Sequence, residues 1–196
     1  MKVAFFDFDG TITTHDSLIK FIRFAVGEMK FTLGMIWLIP MFALYKLRVI
    51  PNYKAKQYLL SYFFKGMDEN KFIQITEKYS LNKIKTILRT RAMKKIEWHK
   101  AQGHKVVIVS ASIEHWLKPW CDEHNLDLIA TEMEIKNGIV TGKFVTKNCY
   151  GTEKERRIRE KYNLNKFDYI YSYGDSKGDK ELLALANEGY YKPFRV

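Results

Sequence analysis

Two acidic residues, Asp7 and Asp9, stand at the end of the first apolar stretch of the chain, Val3–Phe8. An unbroken apolar run of this kind is typical of a strand that is covered on both faces. Side chains alternate along a strand, so we expect both carboxylates on the same side, about 7 Å apart along the backbone. Two neighbouring carboxylates are unfavourable unless a cation or a proton lies between them. The pair therefore predicts a metal site or acid–base chemistry at this strand end.

Two further apolar stretches also end in polar side chains. Val106–Val109 leads into Ser110, and Tyr169–Tyr173 leads through Gly174 into Asp175. The carboxyl ends of parallel strands meet at one edge of a sheet, where ligands bind. Three carboxylates at that edge would form an all-oxygen anionic site that suits Mg²⁺. One ionised carboxylate could then attack phosphorus, while a second protonates the leaving alkoxide and later takes a proton from water.

The second half of the chain alternates strand patterns with helix patterns. This alternation predicts an α/β fold with a doubly wound parallel sheet. Asn137-Gly138 predicts a two-residue hairpin. Thr152 and Glu155 have the spacing of a capping box that opens a helix. The predicted elements are helices at Ile113–Glu123, Thr152–Tyr162 and Asp179–Ala186, and strands at Leu128–Thr131, Glu134–Lys136, Ile139–Thr141 and Tyr190–Tyr191.

Between the first two predicted strands the patterns are helical only. The predicted helices run from Asp16 or Ser17 to Val26, then over Phe31–Tyr45, Asn52–Lys65, Asp68–Tyr79 and Asn82–Gln102. The last of these is expected to stop at Gly103. The chain has no Pro/Gly-rich linker, so a second domain would be an insertion with short connections. We therefore expect a helical-bundle cap of residues 15–81, inserted into a core formed by residues 1–14 and 82–196.

The segment Phe31–Tyr45 is almost entirely apolar and has basic residues on both sides. As a helix it would span about 22 Å, which is short of the roughly 30 Å hydrocarbon core of a bilayer. Pro40 would also kink it. Two interpretations stay open: a buried helix inside a small bundle, and a helix at a membrane interface with a basic flank.

Composition limits the classes of protein and partner. Hydrophobic residues make up 46% of the 196 residues, which excludes a disordered chain. A net charge of +11 favours phosphorylated metabolites, nucleic acid or an acidic membrane surface as partners. Cys121 and Cys149 are expected to be reduced thiols in an intracellular compartment. The sequence starts without a signal-peptide pattern, so we expect a cytoplasmic protein, with membrane association through Phe31–Tyr45 as the open alternative.

The polar residues also have simpler interpretations. Asp7, Asp9 and Gly10 could begin a calcium loop, but the twelfth position, where such a loop needs Glu, is Leu18. Asp175 and Asp179 could be a plain turn with an N-cap. The five histidines show no zinc-ligand pairing, so we expect them at the surface or at its boundary.

Four motifs resemble those of the haloacid dehalogenase superfamily. They are DFDGTIT at Asp7–Thr13, Ser110 after an apolar strand, Lys154 at the start of a helix, and GDSKGD at Gly174–Asp179. Their order and spacing, with a helical segment between the first and second motifs, are similar to the phosphoserine-phosphatase-like branch. The resemblance covers nearly the whole chain. It implies a HAD-like α/β core with an inserted helical cap, and a Mg²⁺-dependent phosphatase.

The resemblance also implies a role for each acid. Asp7 would be the nucleophile that becomes an aspartyl-phosphate, and it would bind Mg²⁺. Asp9 would be the general acid and base, and it would bind Mg²⁺ through its backbone carbonyl. Asp175 would bind Mg²⁺ and Asp179 would support the metal's surroundings.

Other residues would hold the phosphate and the substrate. Ser110 and Lys154 are the expected phosphate-binding residues, with Lys147 as an alternative to Lys154. Asp16 lies near the position of the acid that binds the substrate amine in phosphoserine-type members. The remaining expected site residues are Gly10, Thr11 and Gly174 as supporting residues, and Ala111 with Ser110 at the substrate.

The substrate is less constrained by the motifs. Phosphoserine-type members use a cap arginine for the substrate carboxylate, but Lys54–Lys65 contains no arginine, and Ser110-Ala111-Ser112 replaces their usual glycine pair. The apolar segment is similar to that of a bacterial subgroup that includes phosphatidylglycerophosphate phosphatases. We therefore expect a phosphomonoester hydrolase acting on a small phosphorylated metabolite or a lipid phosphate. The alternatives are a phosphotransferase or mutase on the same intermediate, and a non-catalytic module that binds acidic lipid or nucleic acid. We do not expect nucleic acid as a partner.

Overall fold

A parallel sheet of five strands forms the centre of the protein. The computed structural model describes residues 1–195. The described residues form seven strands in two sheets. These are β1 (Lys2–Phe6), β2 (Lys105–Ile113), β3 (Asp127–Thr131), β4 (Met133–Lys136), β5 (Ile139–Phe144), β6 (Tyr169–Gly174) and β7 (Glu188–Tyr191). The parallel sheet has the order β3-β2-β1-β6-β7, while β4 and β5 pair as an antiparallel hairpin. The predicted doubly wound α/β fold is confirmed.

Helices flank this sheet and fill the long connection between β1 and β2. They are α1 (Ser17–Val26), α2 (Glu28–Trp37), α3 (Ile39–Lys46), α4 (Asn52–Phe64), α5 (Glu69–Asn82), α6 (Thr90–Ala101), α7 (Glu114–Glu123), α8 (Thr152–Lys161) and α9 (Lys180–Ala184). The side chain of Asp16 accepts hydrogen bonds from the Leu18 and Ile19 N–H groups, which caps the start of α1 as the sequence predicted.

The apolar run of β1 is buried on both faces of the sheet. Ala4 and Phe6 belong to the larger core, which includes the helical segment between β1 and β2. Val3 and Phe5 belong to a smaller core with Ile158 of α8. A strand with one face in solvent alternates apolar and polar residues. The continuous apolar sequence of β1 instead reflects burial of both faces of the sheet.

The predicted single helix over Phe31–Tyr45 is wrong. The chain forms α2 and α3 instead, with a break at Leu38, because Pro40 can be accommodated only in the first turn of a new helix. The interpretation as a buried helix is also wrong for most of the segment. Phe31 and Gly34 are buried in α2, but α3 has no fully buried residue, because it contacts the core only through Met41 and Phe42, which stay partly exposed.

The predicted helix over Asn82–Gln102 is interrupted. A short 3₁₀ turn at Ile84–Ile87 and the helix α6 are separated by Leu88 and Arg89, which have extended backbones. The reason is a long-range contact: the Arg89 N–H donates to the Ile12 carbonyl at 2.7 Å. Backbone pairing with the loop after β1 therefore overrides the helical pattern.

Three smaller expectations are also wrong. Gly151, rather than Thr152, is the N-cap of α8, so the Thr152 side chain makes no capping bond. The helix expected from Asp179 is shorter and follows a 3₁₀ turn, because Ser176 and Asp179 form a capping box of their own. His99 is fully buried, and burial is tolerated because both ring nitrogens are hydrogen-bonded, one to Tyr173 and the other to His104.

The hairpin of β4 and β5 bonds to the helical segment. The Val140 N–H donates to the Met67 carbonyl at 2.9 Å, and the Gly66 N–H donates back to the Val140 carbonyl at 3.0 Å. The division into a core of residues 1–14 and 82–196 and a cap of residues 15–81 stays a prediction. Across residues 1–195, each helix is too short or too polar to cross a bilayer.

Candidate active site

The loop after β1 carries the first motif and departs from a strand at once. The strand ends at Phe6, and Phe8–Ile12 forms a single helical turn in which Gly10 has a φ of 81°. The expectation that Asp7 and Asp9 alternate along one strand is therefore wrong. A β-carbon at Gly10 would lie 2.5 Å from a carboxylate oxygen of Asp175, so glycine is required here for both conformation and space.

Lys154 lies between two carboxylates at the carboxyl ends of β1 and β6. Its ammonium group is 2.6 Å from an oxygen of Asp7 and 2.6 Å from an oxygen of Asp179. Asp7 is 6% exposed, while Lys154 and Asp179 are each 1% exposed. Thr11 donates a further hydrogen bond to Asp7 at 2.9 Å. Residues up to 172 positions apart in the sequence thus form one buried charged cluster.

The position of Lys154 depends on how α8 is attached to the sheet. Arg157, on the same helix, donates to the Ala130 carbonyl of β3 at 2.6 Å and pairs with Glu153 at 3.0 Å. A lysine in the first turn of α8 therefore reaches the end of β1. Lys147, the alternative phosphate-binding lysine, is exposed on the preceding loop.

Three carboxylates are close enough to share one cation. Side-chain oxygens of Asp7, Asp175 and Asp179 all lie within 4.8 Å of one another. Asp175 is also paired with the guanidinium group of Arg195. Mg²⁺ prefers a few carboxylate oxygens, with water and phosphate oxygens completing its surroundings. The all-oxygen donor set therefore fits the magnesium ion that the motifs imply.

Asp9 occupies a different environment from Asp7. Its carboxylate accepts hydrogen bonds from the Ser112 hydroxyl at 2.5 Å and from the Ser17 N–H at 2.7 Å. The two serine hydroxyls are 2.9 Å apart, and Trp116 donates to Ser17. The Asp9 side chain is thus held by the end of β2 and the start of α1, and it is not one of the three carboxylates that could share a cation. A metal contact through its backbone carbonyl stays a prediction.

Burial and charge shift the pKa values of these groups. Burial raises the pKa of Asp7 to about 7, although Lys154 acts in the opposite direction. Burial, together with the charge of Asp16, raises the pKa of Asp9 to about 6. Burial opposes the charge of Lys154, but Asp7 and Asp179 outweigh it and raise the lysine pKa. Burial likewise disfavours the charged form of Asp179, but Lys154 and the Ser176 hydrogen bonds lower its pKa. The charged forms of Lys154 and Asp179 therefore stabilise each other.

Ser110 and Ala111 lie at the end of β2, beside these acids. The Ser110 hydroxyl is buried and accepts a hydrogen bond from the Ser112 N–H at 3.0 Å. The Ala111 carbonyl accepts from Thr131 at 3.2 Å and from the ammonium group of Lys56 at 3.4 Å. Lys56 belongs to α4, so a basic side chain from the helical segment reaches the second motif.

Some residues of the site were not identified from the sequence. Ser112 and Ser17 hold Asp9, but the sequence predicts only a possible helix cap for Ser17 and no role for Ser112. The only available signal was the second serine of Ser110-Ala111-Ser112, which was noted as a departure from the glycine pair of relatives. Asp16 is an exposed helix cap, and its predicted contact with substrate stays a prediction.

A cavity of about 720 Å³ lies between the start of α4 and the loop before α8. Pro51 and Tyr53 line one side, while Phe144, Lys147 and Tyr150 line the other. Tyr150 packs against Gly178, which directly precedes Asp179 in the sequence. The cavity therefore adjoins the loop that carries part of the carboxylate cluster.

The sequence as a whole matches a known family. Residues 4–184 match the model of the haloacid dehalogenase-like hydrolases. The chain is 30% identical over 192 residues to protein CicA of Caulobacter vibrioides, an alignment that covers 97% of this chain and 85% of that protein. The chain belongs to the haloacid dehalogenase-like hydrolase family, so the predicted family and the predicted enzyme class, a hydrolase, are confirmed.

Solved structures show the same fold. A protein of unknown function from Bordetella pertussis Tohama I is similar with a TM-score of 0.82 and 21% identity, covering 94% of this chain and 86% of that chain. A phospho-aspartyl intermediate analogue of phosphoserine phosphatase is similar with a TM-score of 0.59 and 19% identity, covering 97% and 84%. The chain therefore shares its fold with phosphoserine phosphatase.

Proposed function

We propose that this protein is a Mg²⁺-dependent phosphomonoester hydrolase that acts through an aspartyl-phosphate on Asp7. The observation that carries the proposal is the buried cluster in which Lys154 contacts Asp7 and Asp179 at 2.6 Å, with Asp175 close by. A buried nucleophile beside one fixed cation and a cation-binding set of carboxylates suits attack on an anionic phosphate.

The first half of the reaction transfers the phosphoryl group to the enzyme. An oxygen of Asp7 forms a bond to phosphorus, and the bond from phosphorus to the leaving oxygen breaks. Asp9 donates its proton to that leaving oxygen, for which a pKa of about 6 is suitable. Its hydrogen bonds to Ser112 and Ser17 fix the orientation of the carboxyl group.

The second half releases phosphate. Asp9, now ionised, accepts a proton from a water molecule that attacks phosphorus, and the bond between phosphorus and Asp7 breaks. Lys154 offsets negative charge on the transferring group. The Ser110 hydroxyl accepts from the Ser112 N–H through a lone pair, so its hydrogen can be donated to a phosphate oxygen.

Asp7, Asp175 and Asp179 would hold Mg²⁺. When bound, the ion supplies positive charge that favours the ionised form of Asp7 and offsets charge on the phosphoryl oxygens. The donor set supports this assignment because all three side chains offer oxygen and lie within 4.8 Å of one another.

The direct test is hydrolysis of p-nitrophenyl phosphate with and without Mg²⁺. We expect metal-dependent turnover by the wild type, no turnover by Asp7→Asn, and wild-type rates for the control Asp122→Asn, whose carboxylate is at the surface. Acid-quenched enzyme should carry one phosphoryl group on the peptide that contains Asp7. Turnover by Asp7→Asn, or turnover without metal, would contradict the proposal.

Two substrate classes are compatible with the site: a soluble phosphorylated metabolite and a lipid phosphate. The lipid phosphate is favoured by the exposed apolar side chains of α2 and α3. A panel of soluble phosphoesters and of lipid phosphates in mixed micelles separates the two by kcat/KM. Adding sugar or alcohol acceptors to the same assay distinguishes a hydrolase from a phosphotransferase, which would transfer the phosphoryl group to the acceptor in preference to water.

A further inference from the structure

The helix α2 is apolar on two opposite sides, and only one of them is packed. Phe31 and Gly34 face the protein, where a β-carbon at Gly34 would collide with Phe63 and Tyr62. The other side carries Met29, Leu33, Ile36 and Trp37, whose spacing of four, three and one places them on one helical stripe. Met29, Leu33 and Trp37 are 74%, 61% and 75% exposed.

Further exposed apolar residues follow the break between the helices. Ile39 at the start of α3 and Leu47 just after its end are also exposed. We define the apolar face by Met29, Leu33, Ile36, Trp37, Ile39 and Leu47. A group of exposed apolar residues from neighbouring parts of the chain points to an interaction site on a folded protein, whereas single exposed apolar residues do not.

The segment that carries the apolar face is also rich in basic residues. Four basic side chains occur between residues 28 and 55, namely Lys30, Lys46, Arg48 and Lys54. The single acid of this stretch is Glu28, and it is paired with Arg23. The local charge is therefore strongly positive, in line with the net charge of +11.

We infer that the apolar face docks on the surface of an anionic membrane. Apolar side chains with basic residues around them combine partition into the interface with attraction to acidic headgroups. Trp37 and Tyr45 have amphipathic rings of the type that lies at headgroup depth. A second copy of the chain is a poorer occupant, because two such faces would bring their basic residues together.

The docked orientation would also serve the site. Tyr45 accepts a hydrogen bond from Asn52 at 3.2 Å, and Asn52 lines the cavity next to the carboxylate cluster. The cavity wall is thus joined to α3, the helix that carries Ile39 of the apolar face. Binding at the membrane does not depend on the proposed reaction, so the two can be tested separately.

The test is flotation with vesicles of zwitterionic lipid alone and with added anionic phospholipid. We expect the wild type to float with anionic vesicles, and to bind at least about tenfold more weakly to zwitterionic ones or at high salt. The double variant Leu33→Glu/Trp37→Glu should lose binding. Leu81→Glu, which changes an exposed leucine on α5, is the matched control and should bind like the wild type.

Two further measurements make each outcome decisive. Hydrolysis of p-nitrophenyl phosphate, or the thermal midpoint if no hydrolysis is detected, reports whether the double variant is folded. Vesicles should shift the tryptophan emission of the wild type to the blue, and Trp37→Phe should lose most of that shift. The inference is overturned if the double variant floats like the wild type. It is also overturned if the wild type does not float, or if it forms dimers that the double variant lacks.

Discussion

Replacing Lys154 by methionine would test the charged cluster most directly. Methionine keeps most of the length and apolar volume of lysine but removes the ammonium group. That group contacts Asp7 and Asp179 at 2.6 Å each, and all three side chains are buried. Without it, two buried carboxylates whose oxygens lie within 4.8 Å of each other lose the cation between them.

The expected loss of stability is large. Removing one partner of a buried ion pair destabilises a protein by about 3–5 kcal/mol, because the remaining charge stays buried and uncompensated. A domain of this size is stable by about 5–15 kcal/mol in total. In magnesium-free buffer, Lys154→Met should therefore remove at least about a fifth of the free energy of unfolding.

The loss should depend on pH, and its sign can be derived. Without Lys154 the buried carboxylates favour the protonated form even more strongly than Asp7 does in the wild type, where its pKa is about 7. Below that raised pKa the carboxyl groups take up protons on folding, so the free-energy cost of burying their charge falls. Above that pKa the carboxyl groups stay charged in the folded protein, and the full cost of burying their charge lowers its stability. Lys154→Met should therefore be more destabilised at pH 8 than at pH 5.

The assay is urea unfolding followed by far-UV circular dichroism, with EDTA, at both pH values. Lys147→Met is the matched control, because Lys147 is an exposed lysine on the adjacent loop and its replacement should change stability by less than about 0.5 kcal/mol. A loss below about 1 kcal/mol for Lys154→Met at pH 8, or a loss equal to that of the control, would refute the reasoning.

Three further predictions concern the surroundings of the cluster. Ser112→Ala should lower kcat by about tenfold or more with little change in the urea midpoint, because Asp9 loses the hydroxyl that orients it; an unchanged kcat would be inconsistent with this role. Gly10→Ala should raise the Mg²⁺ concentration needed for half-maximal activity, because the new β-carbon collides with Asp175; an identical Mg²⁺ titration would count against the assigned metal site. Burial lowers the pKa of His99 to about 3, so its contribution to stability is present above pH 6.5 and is lost as pH falls towards 3. His99→Gln should flatten the fall in the urea midpoint over that range, and parallel pH profiles of wild type and variant would disprove it.

The sheet and the positions of the motifs could be predicted from local patterns alone. Each apolar strand is short, each is followed by a polar or acidic residue, and the rule that ligands bind at the carboxyl ends of parallel strands places those residues together. The position of Lys154 could not be derived in this way. It depends on Arg157 and Glu153, which fix α8 against β3 and whose pattern on the helix is that of ordinary surface charges.

Local patterns failed where distant segments pair. The region around Arg89 has a helical sequence, yet its N–H bonds to the carbonyl of Ile12, and the helix is broken there. The environments of Asp7 and Asp9 differ for the same reason. The strand ends one residue before Asp7, and the partners that separate the two acids come from α8 and from Ser112 at the end of β2.

The apolar face illustrates a different kind of failure. The apolar sequence of Phe31–Tyr45 predicts that the segment is shielded from water. It does not predict whether the rest of the protein or a membrane shields it. A buried helix and a membrane-facing helix have the same composition, and only the rest of the fold distinguishes them. In this protein the fold covers Phe31 and Gly34 but leaves Leu33 and Trp37 exposed. Since exposed apolar surface is unfavourable in water, its presence in a segment rich in basic residues is what docking on an anionic surface would require.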